Sequence, residues 1–167
     1  MREYEIRDIT LAPSGHQKIE WVKNNMPLLR GLEEEFVKTK PFEGVKISLS
    51  VHLEAKTAYL CLVLAAGGAK MSVTGSNVLS TQDDVAAALA DSGLAVFAYH
   101  GATAEEYDRH IEMCLEQKPN IIIDDGGDLV GLIHTKRPDL AEEVWGGCEE
   151  TTTGVIRLKA MEKEGIL

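Results

Sequence analysis

The chain has 167 residues, of which 44% are hydrophobic and 26% charged, the composition of an ordinary soluble globular domain. Its formal net charge of -10 at pH 7 argues against nucleic acid or an anionic membrane as a partner, because phosphate binding needs clustered Lys and Arg. Three scattered cysteines support neither a disulfide framework nor a zinc site, and without a signal peptide or long apolar run we expect a cytoplasmic protein with a small-molecule ligand.

Residues 1–44 are predicted to form a helical segment in front of an α/β core that covers residues 45–167. A helical pattern runs over residues 14–38. It is expected to break near Met26 and Pro27, because proline disfavours helix in the residue before it.

Four short apolar runs, each bounded by Gly, Pro or polar residues, predict strands at residues 45–50, 69–74, 94–98 and 120–124. Helical patterns separate and follow them, at residues 54–66, 82–92, 104–117, 138–144 and 155–163. This alternation predicts one α/β domain with a doubly wound, mostly parallel sheet and helices on both faces, a Rossmann-like arrangement. Ligands of such sheets bind beyond the carboxyl ends of the strands.

Polar residues follow the first predicted strand. His52 could be a surface histidine, or it could act as an acid or base, for which an imidazole is suited. Glu54 and Lys56 could form a solvated first helical turn, or they could bind the edge of a planar ligand.

A second polar group follows the second predicted strand. Ser80 and Asp83 fit a capping box at the start of a helix, which would account for both residues. Capping leaves Asn77 and Gln82 unexplained.

The fourth predicted strand leads into Asp124-Asp125-Gly126-Gly127-Asp128. Asp124 and Asp128 could hold Mg²⁺ for phosphoryl chemistry, although no GxxxxGK[ST] phosphate loop accompanies them. The carboxylates could instead bind the hydroxyls of a ligand, most often a vicinal diol such as that of ribose.

Another acidic segment, Glu149-Glu150-Thr151-Thr152-Thr153, stands where a helix should begin. One threonine suffices as an N-cap, so three beside two glutamates exceed that need. His134 could be structural or could orient a neighbouring group.

These segments together resemble the substrate-binding domain of the S-adenosylhomocysteine hydrolase family. The matching motifs are residues 51–58, 76–84, 122–129 with 133–135, and 149–155. They occur in the family's order with almost no gaps and cover nearly the whole chain. No metal site belongs to this resemblance.

The resemblance implies a reaction in which NAD⁺ oxidises the ribose 3′-hydroxyl, homocysteine leaves from C5′, water adds and the ketone is reduced again. His52 and Asp125 would then be the catalytic acid and base. Glu150 would bind the ribose hydroxyls, and Thr151 would lie beside the substrate. The remaining substrate-binding residues implied by the match are Glu54, Lys56, Thr57, Asn77, Ser80, Gln82 and His134.

The chain also departs from the family's pattern. It contains no GxGxxG motif and ends before the family's Lys, Asp and Asn that follow the threonine run. We therefore expect a truncated substrate-binding domain without the NAD domain, which binds no cofactor by itself, is inactive alone and needs an NAD-domain partner or the missing C-terminal half. The complete enzyme would use NAD in the methyl cycle and form a homo-oligomer. The alternative is a non-catalytic module that binds a nucleoside thioether.

A further departure concerns the base of the nucleoside. In the better-known members the positions numbered 54 and 56 here are commonly Thr and Glu, and that Glu accepts a proton from the exocyclic amine of adenine. Lys56 can only donate, and hypoxanthine offers O6 as an acceptor and N1–H as a donor. We therefore expect S-inosylhomocysteine to be accepted at least as well as S-adenosylhomocysteine, unless Lys56 pairs with Glu54 or turns to solvent.

Overall fold

Six parallel strands form one sheet in the computed structural model, which describes residues 4–167. The strands are β1 (Tyr4–Glu5), β2 (Lys46–Ser50), β3 (Lys70–Thr74), β4 (Ala95–Phe97), β5 (Ile121–Asp124) and β6 (Gly146–Glu149). The helices are α1 (Ala12–Asn25), α2 (Pro27–Thr39), α3 (Ala55–Ala66), α4 (Asp83–Asp91), α5 (Ala104–Leu115), α6 (Asp128–Lys136), α7 (Pro138–Ala141) and α8 (Thr152–Lys163), with a 3-10 turn at Ile9–Leu11. Within these residues, every helix is too short or too polar to cross a bilayer.

The strand order β1-β4-β3-β2-β5-β6 confirms the predicted doubly wound fold. The chain runs from β2 through β3 to β4 on one side, then crosses back to β5 on the other side of β2. Right-handed crossovers therefore put α3 and α4 on one face and α5 and α6 on the other. The crevice between the ends of β2 and β5 is the topological switch point, where ligands bind in such sheets.

The core has one apolar cluster on each face of the sheet. The larger cluster packs α1, α3 and α4 against strand residues such as Leu49 and Val73, both fully buried. The smaller one packs α5 and α6 against Ile122. Because both faces are covered, most residues of the central strands are buried, including the small polar residues Ser48 and Ser72.

The helical segment in front of the core breaks where the sequence predicts. α1 ends at Asn25 and α2 begins at Pro27, with Met26 outside the helical region at φ -121° and ψ 72°. Gly15 lets α1 lie directly on α4, because a Cβ atom at this position would come 1.9 Å from the carbonyl oxygen of Asp84. The segment is thus packed onto the core.

Three elements are missing from the predicted set. β1 is only two residues long, and β6 has the sequence Gly-Gly-Cys-Glu, which carries no apolar pattern. Backbone pairing with β5 holds β6 at the edge of the sheet. The helix α6 was also not predicted, because its N-cap is Gly127, which has a left-handed φ of 76° and no side chain to cap the helix.

Candidate functional site

The ends of three neighbouring strands bring together a histidine, an aspartate and a serine. His52 follows β2, and its Nε2 lies 3.5 Å from Oδ2 of Asp125, which follows β5. Ser76, which follows β3, donates to the same Oδ2 at 2.7 Å. The His52 side chain is 51% exposed and that of Asp125 only 8%, so a ligand in the crevice can reach the ring while the carboxylate stays fixed beneath it. Such a pair can exchange protons with a bound molecule.

On its other side the His52 ring contacts Ser80. The Ser80 Oγ lies 2.5 Å from Nδ1 of His52. The predicted capping box of Ser80 and Asp83 is therefore wrong: α4 begins at Asp83 with Gln82 as its N-cap, and the Asp83 carboxylate accepts from the backbone N–H of His100 at 2.7 Å. The loop turns the serine towards the histidine instead of the helix.

Asn77 and Gln82 point to different neighbours. The Asn77 side-chain oxygen accepts from the backbone N–H of Leu79 at 2.8 Å, which shapes the loop after β3. The Gln82 side-chain oxygen accepts from Nζ of Lys18 on α1 at 2.9 Å. The structure therefore places Ser80 against His52, whereas these two side chains hold the loop and α1.

Asp124, at the end of β5, is buried, and its side chain binds the first turn of α6. It is 1% exposed, and its carboxylate accepts from the backbone N–H groups of Asp125 at 3.1 Å and Val130 at 3.0 Å. Burial raises the pKa of Asp124 to about 6. The two backbone hydrogen bonds oppose that shift, and the neighbouring charges of Glu149 and Asp128 add to it.

Asp128 is bound by two side chains from other helices. Arg157 of α8 donates to its Oδ1 at 2.5 Å, and the Tyr107 hydroxyl of α5 donates to its Oδ2 at 2.8 Å. Burial and this hydrogen bond raise the pKa of Tyr107. With Asp124 and Asp128 both engaged by protein donors, the arrangement does not favour the magnesium-dependent phosphohydrolase that the sequence left open.

The two adjacent glutamates have different surroundings. The Glu149 Oε1 accepts from the N–H of Gly126 at 2.8 Å and from the N–H and hydroxyl of Thr151 at 2.9 and 2.7 Å. Burial disfavours the Glu149 anion, yet these hydrogen bonds hold its pKa below the ordinary value. Thr151 is also the N-cap of α8, accepting from Gly154 N–H at 2.9 Å. Glu150, in contrast, is exposed.

A cavity of about 720 Å³ opens between the α1–α2 turn, the start of α3 and the ends of β2 and β5. Its volume lies in the range of small-molecule sites. Four of the predicted substrate-binding residues line it together: Glu54, Lys56, Thr57 and Glu150. The rest of the wall is mainly aliphatic and comes from Met26, Pro27, Leu28, Leu29, Leu32, Val51, Leu60 and Ile123, with Asn25 at the edge.

Two opposite charges stand at the α3 side of this cavity. Glu54 is the N-cap of α3 and accepts from the backbone N–H of Thr57 at 3.3 Å. The Lys56 Nζ lies 4.0 Å from Oε1 of Glu54, and its side chain is 67% exposed. A contact this long and this exposed contributes little to stability, so both groups remain available to a ligand.

The structure does not bring His134 to this cavity. His134 lies on α6, half-buried, and lines a separate cavity of about 410 Å³ together with Ile133, Cys148 and Leu158. This second cavity lies beside β6, on the face of the sheet covered by α6.

Three features of the site were not predicted. Ser76 was not singled out, although it directly precedes Asn77, and the structural role of Glu149 was not separated from that of Glu150. The aliphatic wall contributed by the α1–α2 turn was missed as well. A signal existed for the wall, because the apolar residues Met26, Leu28 and Leu29 flank the proline break in the sequence.

Comparison with known proteins shows clear relatives. The sequence profile of the S-adenosyl-L-homocysteine hydrolase family matches residues 3–142. The chain is 56% identical over 164 residues to S-inosyl-L-homocysteine hydrolase of Methanocaldococcus jannaschii, covering 98% of this chain and 40% of the relative. It is 54% identical over 165 residues to adenosylhomocysteinase of Pyrococcus abyssi, covering 99% of this chain and 39% of the relative. The chain thus spans about 40% of the length of the curated relatives it matches.

Proposed function

The chain belongs to the S-adenosyl-L-homocysteine hydrolase family, and we propose that it is the substrate-binding part of an enzyme that hydrolyses a nucleoside thioether to a nucleoside and homocysteine. One observation carries the proposal: the His52 and Asp125 pair stands at the same switch point as a nucleoside-sized cavity lined by Glu150 and by Glu54 with Lys56. His52 and Asp125 would act on the ribose as acid and base, and the cavity would hold the nucleobase.

Glu150 is the group proposed to bind the ribose diol. Its backbone N–H donates to the Asp124 carbonyl at 2.9 Å, which places it beside Asp125 at the end of β5. Its carboxylate is exposed and lines the cavity, whereas the Glu149 carboxylate already accepts a hydrogen bond from the Gly126 N–H. A free carboxylate accepts hydrogen bonds from two hydroxyls well, which supports Glu150 as the ribose ligand.

NAD is the oxidant proposed for the complete enzyme, but the glycine turn before α6 does not fit its pyrophosphate. Phosphate sites at helix N-termini need free backbone N–H groups. At the glycine turn before α6, the Gly126 N–H is bound by Glu149, and the carboxylates of Asp124 and Asp128 stand on either side. We therefore propose that another part of the complete enzyme holds NAD and that residues 4–167 alone do not turn over substrate.

Lys56 supports hypoxanthine as the preferred base. Relatives named for inosyl and for adenosyl substrates are about equally similar to this chain, so identity does not decide between them. If the side chain at position 56 faces the substituent on C6 of the base, the Lys56 ammonium can donate to O6 of hypoxanthine but not accept from the amine of adenine. Glu54, 4.0 Å away, would then accept from N1–H.

The ribose contact can be tested with Glu150→Gln by following NMR signals of the labelled chain during titration with S-inosylhomocysteine. We expect a loss of affinity of about tenfold, corresponding to about 1.4 kcal/mol, the low end for a hydrogen bond to a charged group because Glu150 is exposed. A 2′,3′-dideoxy analogue should bind the wild type and the variant alike. If the variant instead weakens both ligands equally, Glu150 does not contact the diol.

A further inference from the structure

The His52 ring is held between two polar groups. Its Nδ1 lies 2.5 Å from the Ser80 Oγ, and its Nε2 lies 3.5 Å from Oδ2 of Asp125. The side chain is 51% exposed, so packing alone does not fix the ring. Its orientation therefore depends on these two contacts.

The Ser80 hydroxyl has a second partner, the carbonyl oxygen of Asn77 at 3.2 Å. That carbonyl already accepts from the Thr81 hydroxyl at 3.0 Å and from the backbone N–H groups of Ser80 and Thr81 at 3.3 and 3.2 Å. A carbonyl oxygen has two lone pairs, so the Ser80 hydrogen is better donated to Nδ1 while His52 is neutral. When His52 is charged, Nδ1–H must donate, and the Ser80 oxygen can accept it by turning its own hydrogen to Asn77.

We propose that Ser80 is a positioning residue that holds the His52 ring in both protonation states. A hydroxyl can donate and accept, so the contact at Nδ1 survives when the ring gains or loses a proton. In the neutral ring the hydrogen then lies on Nε2, which faces the Asp125 carboxylate. Nε2 faces this carboxylate in the charged ring as well. The inference rests on the proposed function, in which His52 acts as acid and base. It assigns Ser80 a contact with His52 in place of the substrate contact that the resemblance implies.

The loop after β3 is built to keep the Ser80 hydroxyl in place. The Gln82 N–H donates to the Leu53 carbonyl at 3.0 Å, which ties the loop to the residue after His52. Gly75 lies so close to Thr81 that a Cβ atom would come 2.6 Å from its hydroxyl oxygen. The backbone thus sets the distance between Ser80 and the ring before any ligand binds.

The test uses ¹⁵N NMR of the histidine rings in the whole chain, which requires neither turnover nor NAD. At alkaline pH, where imidazoles are neutral, we expect the Nε2–H tautomer of His52. At acidic pH, where imidazoles are charged, we expect a Nδ1–H signal protected from exchange with water. A neutral ring that carries its hydrogen on Nδ1, or a Nδ1–H that exchanges as in a free imidazole, would overturn the proposal.

Three variants separate positioning from a general structural effect. Ser80→Ala should raise the exchange rate of the His52 Nδ1–H by about tenfold, the equivalent of one hydrogen bond, and Ser80→Thr should restore the wild-type rate. Ser92→Ala is the control, because this serine donates to the Ala88 carbonyl at the end of α4. An exchange rate unchanged in Ser80→Ala would refute the role of Ser80. Failure of nucleoside binding would instead refute the proposed function while leaving these ring signals unaffected.

Discussion

The stability of the protein should depend on pH through Asp124, and replacement by Asn isolates that dependence. Asp124 is buried at 1% exposure and accepts two backbone hydrogen bonds at the start of α6. Burial raises its pKa from 3.8 to about 6. The folded protein therefore binds this proton more tightly than the unfolded chain does.

The sign and size follow from that shift. A carboxyl group whose pKa is raised by folding stabilises the protein below its unfolded value, and the stabilisation is lost as pH rises through the folded value. For Asp124 the loss falls between about pH 4 and pH 6. Two pKa units correspond to about 3 kcal/mol, and no discount for solvent is needed because the group is buried.

Urea denaturation of wild type and Asp124→Asn at pH 4, 5, 6 and 7 measures this contribution. From pH 4 to pH 7 the wild type should lose about 3 kcal/mol of stability relative to the variant, since the amide of the variant does not titrate. Asp108→Asn, at an exposed position on α5, is the control for the loss of one charge. A difference between wild type and Asp124→Asn that stays constant over the series would refute the reasoning.

Further predictions concern packing and the glycine turn, and each can be checked by urea denaturation. Gly15→Ala should destabilise the protein by about 3 kcal/mol or more, because its Cβ would meet the Asp84 carbonyl at 1.9 Å. Gly31→Ala on α2, where nothing lies within 4 Å, should stabilise it by about 0.5 to 1 kcal/mol, and equal effects of the two changes would contradict this packing. Glu149→Ala should cost about 2 to 3 kcal/mol, because it leaves the Gly126 N–H without its acceptor. An unchanged midpoint would show that water replaces that carboxylate.

The sequence predicts the fold because the central strands are buried on both faces. Ile121–Ile123 of β5 form a continuous apolar run, and β2 alternates apolar residues with buried serines, while the helices between the strands have the right length. β6 is different: its first three residues are exposed, and the strand forms through pairing with β5. No local pattern encodes such a strand.

The candidate site was predictable to the level of the sheet edge but not of individual contacts. The family resemblance paired His52 with Asp125, 73 residues away, and the rule that ligands bind beyond parallel strand ends puts both at the same edge of the sheet. Whether Ser80 caps a helix or contacts His52 depends on how the loop after β3 folds back on β2. Gln82 likewise contacts Lys18, a residue of α1 that no spacing rule connects to it.

The most direct test of the account is the choice of base by the cavity that Glu54 and Lys56 line. Affinities for S-inosylhomocysteine and S-adenosylhomocysteine should be measured by NMR titration for wild type, Lys56→Glu and the charge-matched control Lys159→Glu on the exposed side of α8. Because Lys56 is 67% exposed, we expect a hydrogen bond from it to O6 to contribute about 1 kcal/mol, which predicts about a fivefold preference of the wild type for the inosine thioether. Lys56→Glu should abolish or reverse that preference, and Lys159→Glu should keep it. A wild-type preference for adenine that Lys56→Glu leaves unchanged, or no binding of either thioether, would contradict the account.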